Sequence, residues 1–121
     1  MIDLVEVQSS TFKTASIGTN AIVDGRCRLL MVIARQALVT TETEDPVTLR
    51  TSSATGTPRY RFSMPTESST TTDLQINQVL RIGGSGILFE DGMYYTNDES
   101  GSVCADVVTV IYTGGKNSVP T

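Results

Sequence analysis

Residues 26–39 read Arg26-Cys27-Arg28-Leu29-Leu30-Met31-Val32-Ile33-Ala34-Arg35-Gln36-Ala37-Leu38-Val39, and they can be laid out in two ways. On a helix, Leu29, Leu30, Val32, Ile33 and Ala37 form an apolar stripe, with Asp24 placed to cap the first turn. On a strand, Cys27, Leu29, Met31 and Ile33 alternate with Arg26, Arg28, Leu30 and Val32. The rest of the chain favours the strand. Arg59-Tyr60-Arg61-Phe62-Ser63-Met64 alternates cleanly, with Tyr60, Phe62 and Met64 on one side and Pro65 as its stop. Val47-Thr48-Leu49-Arg50-Thr51 and Asp73-Leu74-Gln75-Ile76-Asn77 keep the same period. Ala105-Asp106-Val107-Val108-Thr109-Val110-Ile111-Tyr112 is rich in β-branched residues on both faces, the pattern of a strand covered on both sides, and Gly114-Gly115 is read as its end.

Working outward, Ile87-Leu88-Phe89-Glu90 and Met93-Tyr94-Tyr95-Thr96 flank Asp91-Gly92, a two-residue turn signal that predicts a tight hairpin. Serine and threonine clusters at 9–11, 40–43, 51–55 and 68–72 mark loops and strand edges. With an arm at Ile2–Val7 and a short strand at Ala21-Ile22-Val23, about eight or nine short strands are expected. Their spacing predicts an all-β, antiparallel β-sandwich, with a jelly roll as one arrangement. The expected organisation is an extended N-terminal arm over 1–20, the β-sandwich domain over 21–114 and a C-terminal tail over 115–121.

The chain has 121 residues, enough for a single domain. It has no histidine and no tryptophan, which removes the commonest general base and the commonest zinc ligand. Thirteen acidic against nine basic residues leave a net charge of −4, so a counterion-release footprint on nucleic acid is not expected. The N-terminal stretch carries Asp3 and Glu6 and no apolar core of leader length, and the longest apolar run, 29–34, is too short to span a membrane. Neither a secretory leader nor a membrane role is expected. Cys27 and Cys104 each sit inside an apolar stretch and read as buried free thiols of a protein made in a reducing cytoplasm, with pairing as the alternative.

Chemistry-bearing patterns are weak. Gly83-Gly84-Ser85-Gly86 runs into a strand and lacks the Gly-Lys-Ser/Thr ending of a phosphate loop. Gly114-Gly115-Lys116 fails the same test. Glu90, Asp91, Asn97, Asp98 and Glu99 offer oxygens for Ca²⁺, but their spacing matches no calcium loop. Glu42-Thr43-Glu44-Asp45 reads as a solvated acidic loop. No catalytic residue, metal ligand or cofactor is expected. Interaction candidates are Ile2, Leu4, Val5 and Val7, whose apolar side chains could add an arm to a neighbouring sheet. Arg59 and Arg61 join them, either to meet a partner's carboxylates or to guard an edge strand. Tyr95 is the aromatic most expected at the surface.

Two stretches carry a family resemblance: 80–94, Leu80-Arg81-Ile82-Gly83-Gly84-Ser85-Gly86-Ile87-Leu88-Phe89-Glu90-Asp91-Gly92-Met93-Tyr94, and Val108-Thr109-Val110-Ile111-Tyr112-Thr113-Gly114. They resemble small virion structural proteins of tailed bacteriophages, in a Gly-Ile-x-Phe-x-x-Gly-hydrophobic-Tyr run followed by a Val-Thr-Val-x-Tyr strand. Arg28-Leu29-Leu30, Val47-Thr48-Leu49-Arg50 and Tyr60-Arg61-Phe62 fit the same strand order, so the similarity covers 22–114. The acidic stretch 97–102 and the N-terminal arm depart from it. The resemblance implies a non-enzymatic β-sandwich building block of a phage particle, made in the host bacterial cytoplasm. Its expected partners are copies of itself, a trimer among the arrangements, and the major capsid protein, in the role of a capsid decoration (cement) protein. Tail, collar, neck or fibre-associated placement is the alternative, and a carbohydrate-binding module the third reading.

Overall fold

Residues 21–36 form one strand, not a helix and not two strands. A computed structural model describes residues 6–36, 44–63, 77–96 and 102–120, and among these there is no helix. The strands are β1 (Val7–Lys13), β2 (Ala21–Gln36), β3 (Glu44–Asp45), β4 (Val47–Thr51), β5 (Thr57–Phe62), β6 (Asn77–Arg81), β7 (Ile87–Phe89), β8 (Met93–Thr96), β9 (Ser102–Val103) and β10 (Ala105–Asn117). The class is all-β and antiparallel, in one sheet of eight strands ordered β1-β10-β2-β8-β4-β5, with β6 and β7 also paired to β2. The ladder is continuous from β1 to β5, so hydrogen bonding does not divide the strands into two sheets. Glu44–Asp45 and Ser102–Val103 form a separate parallel pair.

β2 is the spine. One edge pairs with β10 from Val23 to Gln36. The other edge meets three collinear pieces in turn: β6 against 31–35, β7 against 27–29 and β8 against 21–23. Asp91-Gly92 is therefore not a hairpin turn. β7 and β8 run the same way along β2, and the dipeptide is an irregularity between them. Gly92, at φ +82°, donates its N–H to the Gly25 carbonyl (3.1 Å), and a Cβ there would lie 3.0 Å from the Val23 oxygen. Of the two turn positions only Gly92 has positive φ, and the topology differs from a hairpin because β2 offers a longer edge than either short strand offers the other. The buried Thr51 hydroxyl holds the irregularity, donating to the Gly92 carbonyl (3.0 Å) and accepting from the Asp91 amide (2.9 Å).

Gly114-Gly115 does not end the last strand either. β10 continues to Asn117, with register shifts at 111/112 and 114/116. Both glycines have positive φ, +75° and +69°, and at Gly115 a Cβ would lie 2.6 Å from Val23 Cγ1 and 2.9 Å from the Asp24 oxygen. The ladder bends at this point, which lets the end of β10 return beside β1. Gln8 Nε2 donates to the Gly115 carbonyl (3.2 Å), and Ser10 Oγ donates to Asn117 Oδ1 (2.9 Å) and contacts the Ile22 carbonyl (3.1 Å). Val119 packs against the core. Residues 115–119, within the segment assigned to the C-terminal tail, thus flank the inner side of β1.

The N-terminal arm is likewise corrected over 7–13. β1 pairs residue for residue with 107–113 of β10 in an unbroken register, and Phe12 is buried with its ring 5.6 Å from that of Tyr95. That contact joins the first strand of the ladder to β8 across the interior. The core is built from Phe12, Ile22, Val23, Leu29, Val32, Val47, Leu49, Phe89, Met93, Val108, Val110 and Tyr112. Burying side chains of this size stabilises by about 1.5–3 kcal/mol each. The expected strand around Leu74 and Ile76 lies outside the described residues.

Gly115→Ala should destabilise by at least ~2 kcal/mol, since a strained φ and a backbone collision combine. Gly84→Ala, also at positive φ (+65°) but with nothing within 4 Å of its Cβ, should cost about 1 kcal/mol. Urea unfolding of both variants measures the difference, and equal losses would mean the bend is not held by the close approach.

Candidate functional site

The alternation drawn from sequence for 27–33 breaks at Leu30. Between 27 and 34 the buried residues of β2 are Cys27, Leu29, Val32 and Ala34, whereas Met31 and Ile33 face outward. The reason is the register shift opposite Ile111/Tyr112, where β2 passes from Met31 to Leu29 against consecutive residues of β10. A bulge of this kind adds a residue to one strand and reverses the facing of everything beyond it.

The reversal creates a surface. Following the register across β1, β10, β2 and β6 or β7, four rows of side chains face away from the core. They are Lys13–Val107–Arg35–Asn77, Thr11–Thr109–Ile33–Val79, Ser9–Ile111–Met31–Arg81 and Val7–Thr113–Arg28–Leu88. Val7, Val79 and Ile33 are the exposed large hydrophobics among the described residues, at 59%, 49% and 36% of full exposure. Met31, Val107, Ile111 and Leu88 beside them are half-buried. Thr11 and Thr109 hydroxyls bond across the strands at 2.7 Å.

Charge on this face is one-sided. Arg35 is held in two contacts by Asp106, Nε to Oδ1 at 3.1 Å and Nη2 to Oδ2 at 3.2 Å. Lys13, Arg28 and Arg81 stand around the apolar residues, and no carboxylate shares the four rows with them. At the bent end, Arg26, Arg28, Leu88, Thr113 and Gly114 line a shallow depression of about 330 Å³.

The candidates named from sequence scatter. Ile2, Leu4 and Val5 lie outside the described residues, and Val7 is exposed in the outermost position of one row. Arg59 on β5 pairs with Glu90 through two contacts, one of them Nε to Oε2 at 3.2 Å; this hydrogen bond, more than the charge of Arg59 or Arg26, holds the Glu90 carboxyl below its usual range. Arg61 is exposed on the same strand. Pro58, Arg59 and Arg61 together fit edge protection. Tyr95 is buried, at 5% exposure against Phe12, so it is not a surface aromatic. The face itself was missed, although its signal was present in the apolar residues on both sides of 105–112 and 26–35.

Among the described residues, no set of three or more His, Cys, Asp or Glu side chains that could hold a metal ion comes together. Asn97, Asp98 and Glu99 lie outside the described residues. Cys27 and Cys104 are buried and are not joined in a disulfide. No family model matches the chain, and no curated protein or solved structure shows significant similarity to it.

Burial pushes the Cys27 thiol up to about 11 from 9.0. A raised thiol pKa favours the neutral form in the folded state, so its contribution to stability is complete below pH 9.0 and is lost as pH rises through about 11. Alkylation of native protein by iodoacetamide at pH 8 should be at least ~100-fold slower at Cys27 than in urea, the loss of thiolate and the loss of access acting together. Peptide mass spectrometry reads this, and comparable rates would mean the thiol is neither buried nor shifted.

Proposed function

We propose that this chain is a non-enzymatic structural building block of a bacteriophage particle, assembled from copies of itself and docked on the major capsid protein as a decoration (cement) component. The observation that carries the reading is the uncovered outer face of β1, β10, β2 and β6. Its apolar residues have the pattern of a doubly covered sheet, and among the described residues Val7, Val79 and Ile33 stay exposed on it. Such a patch is the mark of a protein contact.

Two further points support it. The residues of the resemblance, Gly86-Ile87-Leu88-Phe89 and Gly92-Met93-Tyr94 with Val108-Thr109-Val110-Ile111-Tyr112, lie on the strands beside β2, where they serve the packing and bends of a scaffold. The chain also brings no imidazole and calls for no cofactor. Bracing a shell requires interfacial area and shape, not bond-making chemistry. A sugar platform is less supported, because Tyr95 and Tyr112 are both buried.

Quantitative mass spectrometry of purified particles against the major capsid protein tests the reading. A stoichiometry near one, or a simple fraction such as a third, is expected for decoration. A few copies per particle would move the chain to the tail, collar or neck, and its absence from particles would overturn the virion role.

A further inference from the structure

The ladder ends on β1 and on β5, and the two edges are built differently. β5 carries Pro58, an Arg59 held to Glu90 and an exposed Arg61, and its pairing with β4 slips at Leu49/Arg50. Proline, charge and irregular register are devices that keep a sheet edge from taking another strand. β1 has no proline, keeps an unbroken register with β10 and carries one charge, Lys13, at its end. Among the described residues no strand pairs with its second edge. Beside residues 11–13 that edge borders a depression of about 340 Å³ whose walls include Phe12, Ser16, Val119 and Pro120.

The ladder fixes which backbone groups of β1 face outward. Thr14 donates its N–H to the Asp106 carbonyl (3.1 Å), continuing the register of Lys13 with Val107. By the alternation of an antiparallel pair, Gln8, Ser10 and Phe12 then aim N–H and C=O at β10, and Val7, Ser9, Thr11 and Lys13 aim theirs at the free edge. The Thr11–Thr109 hydroxyl contact of 2.7 Å fits this phase, since side chains approach closest at a pair that exchanges no backbone bonds.

We infer that the free edge of β1 is the contact between copies of this chain, pairing antiparallel with β1 of a second copy about a two-fold axis at Ser10. The edge is complementary to itself. With Ser10 opposite Ser10, Val7 faces Lys13 of the second copy and Ser9 faces its Thr11, so all four outward residues of both strands are hydrogen-bonded. Moving the register by two residues in either direction leaves an end residue of each strand unpaired. The two Lys13 side chains stand roughly 20 Å apart along the strands, well beyond the ~8 Å screening length of physiological salt. Each lays its methylene stem over the other copy's Val7, which is 59% exposed in the single chain. Such a pair closes on itself and joins the two outer faces into one surface, leaving Ile33 and Val79 of both copies to meet a shell. One added strand pair is small beside the ~800 Å² that each partner gives to a standard interface, so the dimer belongs to the micromolar range and is strengthened where copies crowd together. The inference rests on the reading of the chain as a self-assembling block, and names the edge through which it assembles.

Sedimentation velocity of the purified full chain, from about 5 μM to about 500 μM, tests it. A concentration-dependent step from monomer to dimer is expected. Ser9→Pro removes an outward N–H and none of those given to β10, and should shift the step at least ~10-fold toward monomer, with circular dichroism checking that the variant folds. Val7→Lys, which sets lysine against lysine at both ends of the pair, should weaken the dimer several-fold more than Val7→Glu. Amide exchange read residue by residue needs no variant: Ser9 and Thr11 should be protected only at high concentration, and Ser10 and Phe12 at low and high alike. A monomer throughout the range, a dimer indifferent to Ser9→Pro, equal effects of the two Val7 variants, or protection of Ser9 and Thr11 that does not change with concentration would each overturn the inference. A chain that is monomeric yet abundant in particles loses this contact and keeps the building-block reading; one that dimerises through β1 yet is absent from particles keeps the contact and loses the virion role.

Discussion

The pairing of β2 on both edges over its whole length is the constraint from which the rest of the fold follows. A sixteen-residue strand buries one face and satisfies its backbone on both sides only if other segments match its length. β10 does so as one piece. On the other edge β6, β7 and β8 do so as three, separated by Gly83-Gly84-Ser85-Gly86 and by Glu90-Asp91-Gly92. Glycine is needed at these breaks because the chain passes close to the β2 carbonyls, as the Gly92 approach to Val23 illustrates.

A straight ladder of this length could not enclose a core. The bend at Gly114-Gly115, opposite the region of Gly25 in β2, turns the ends of both long strands back over the inner face. Phe12 then reaches Tyr95, and Ser10 reaches both Asn117 and Ile22. The same bend accounts for the fate of the two termini. Segments 7–13 and 115–119 flank each other, so neither is free to act as an independent arm over those residues. β1 and β5 are the end strands of the ladder; on β5, Pro58 and an Arg59 held to Glu90 lie at the edge. The exposed large hydrophobics among the described residues, Val7, Ile33 and Val79, all lie on the outer face.

Much of the local structure was legible in the sequence. The alternation in 47–51 and 59–62 placed Val47, Leu49 and Phe62 inside, and the β-branched richness of 105–112 marked a central strand. The strand reading of 26–35 over the helical one is what the structure has. Readings failed where they depended on what a segment pairs with. Asp91-Gly92 has the positive φ of a hairpin turn only at Gly92, and both flanking strands pair with β2 instead of with each other. Gly114-Gly115 looks like punctuation in one dimension and is a hinge in three. Tyr95 gave no sign of being buried, since its partner Phe12 lies far away in the chain.

The amino-acid sequence by itself determined the class: period-two patterning, β-branched runs and Gly, Pro and Thr turn signals specify antiparallel β structure even where 26–39 also fits a helical stripe, because each is a property of a few adjacent residues. Only the tertiary structure decided which face of β2 is the interior beyond Leu30. A bulge there costs the strand little locally, and its position is chosen by the register against β10, so the outward turn of Met31 and Ile33, and with it the candidate contact surface, is settled by pairing between segments some eighty residues apart.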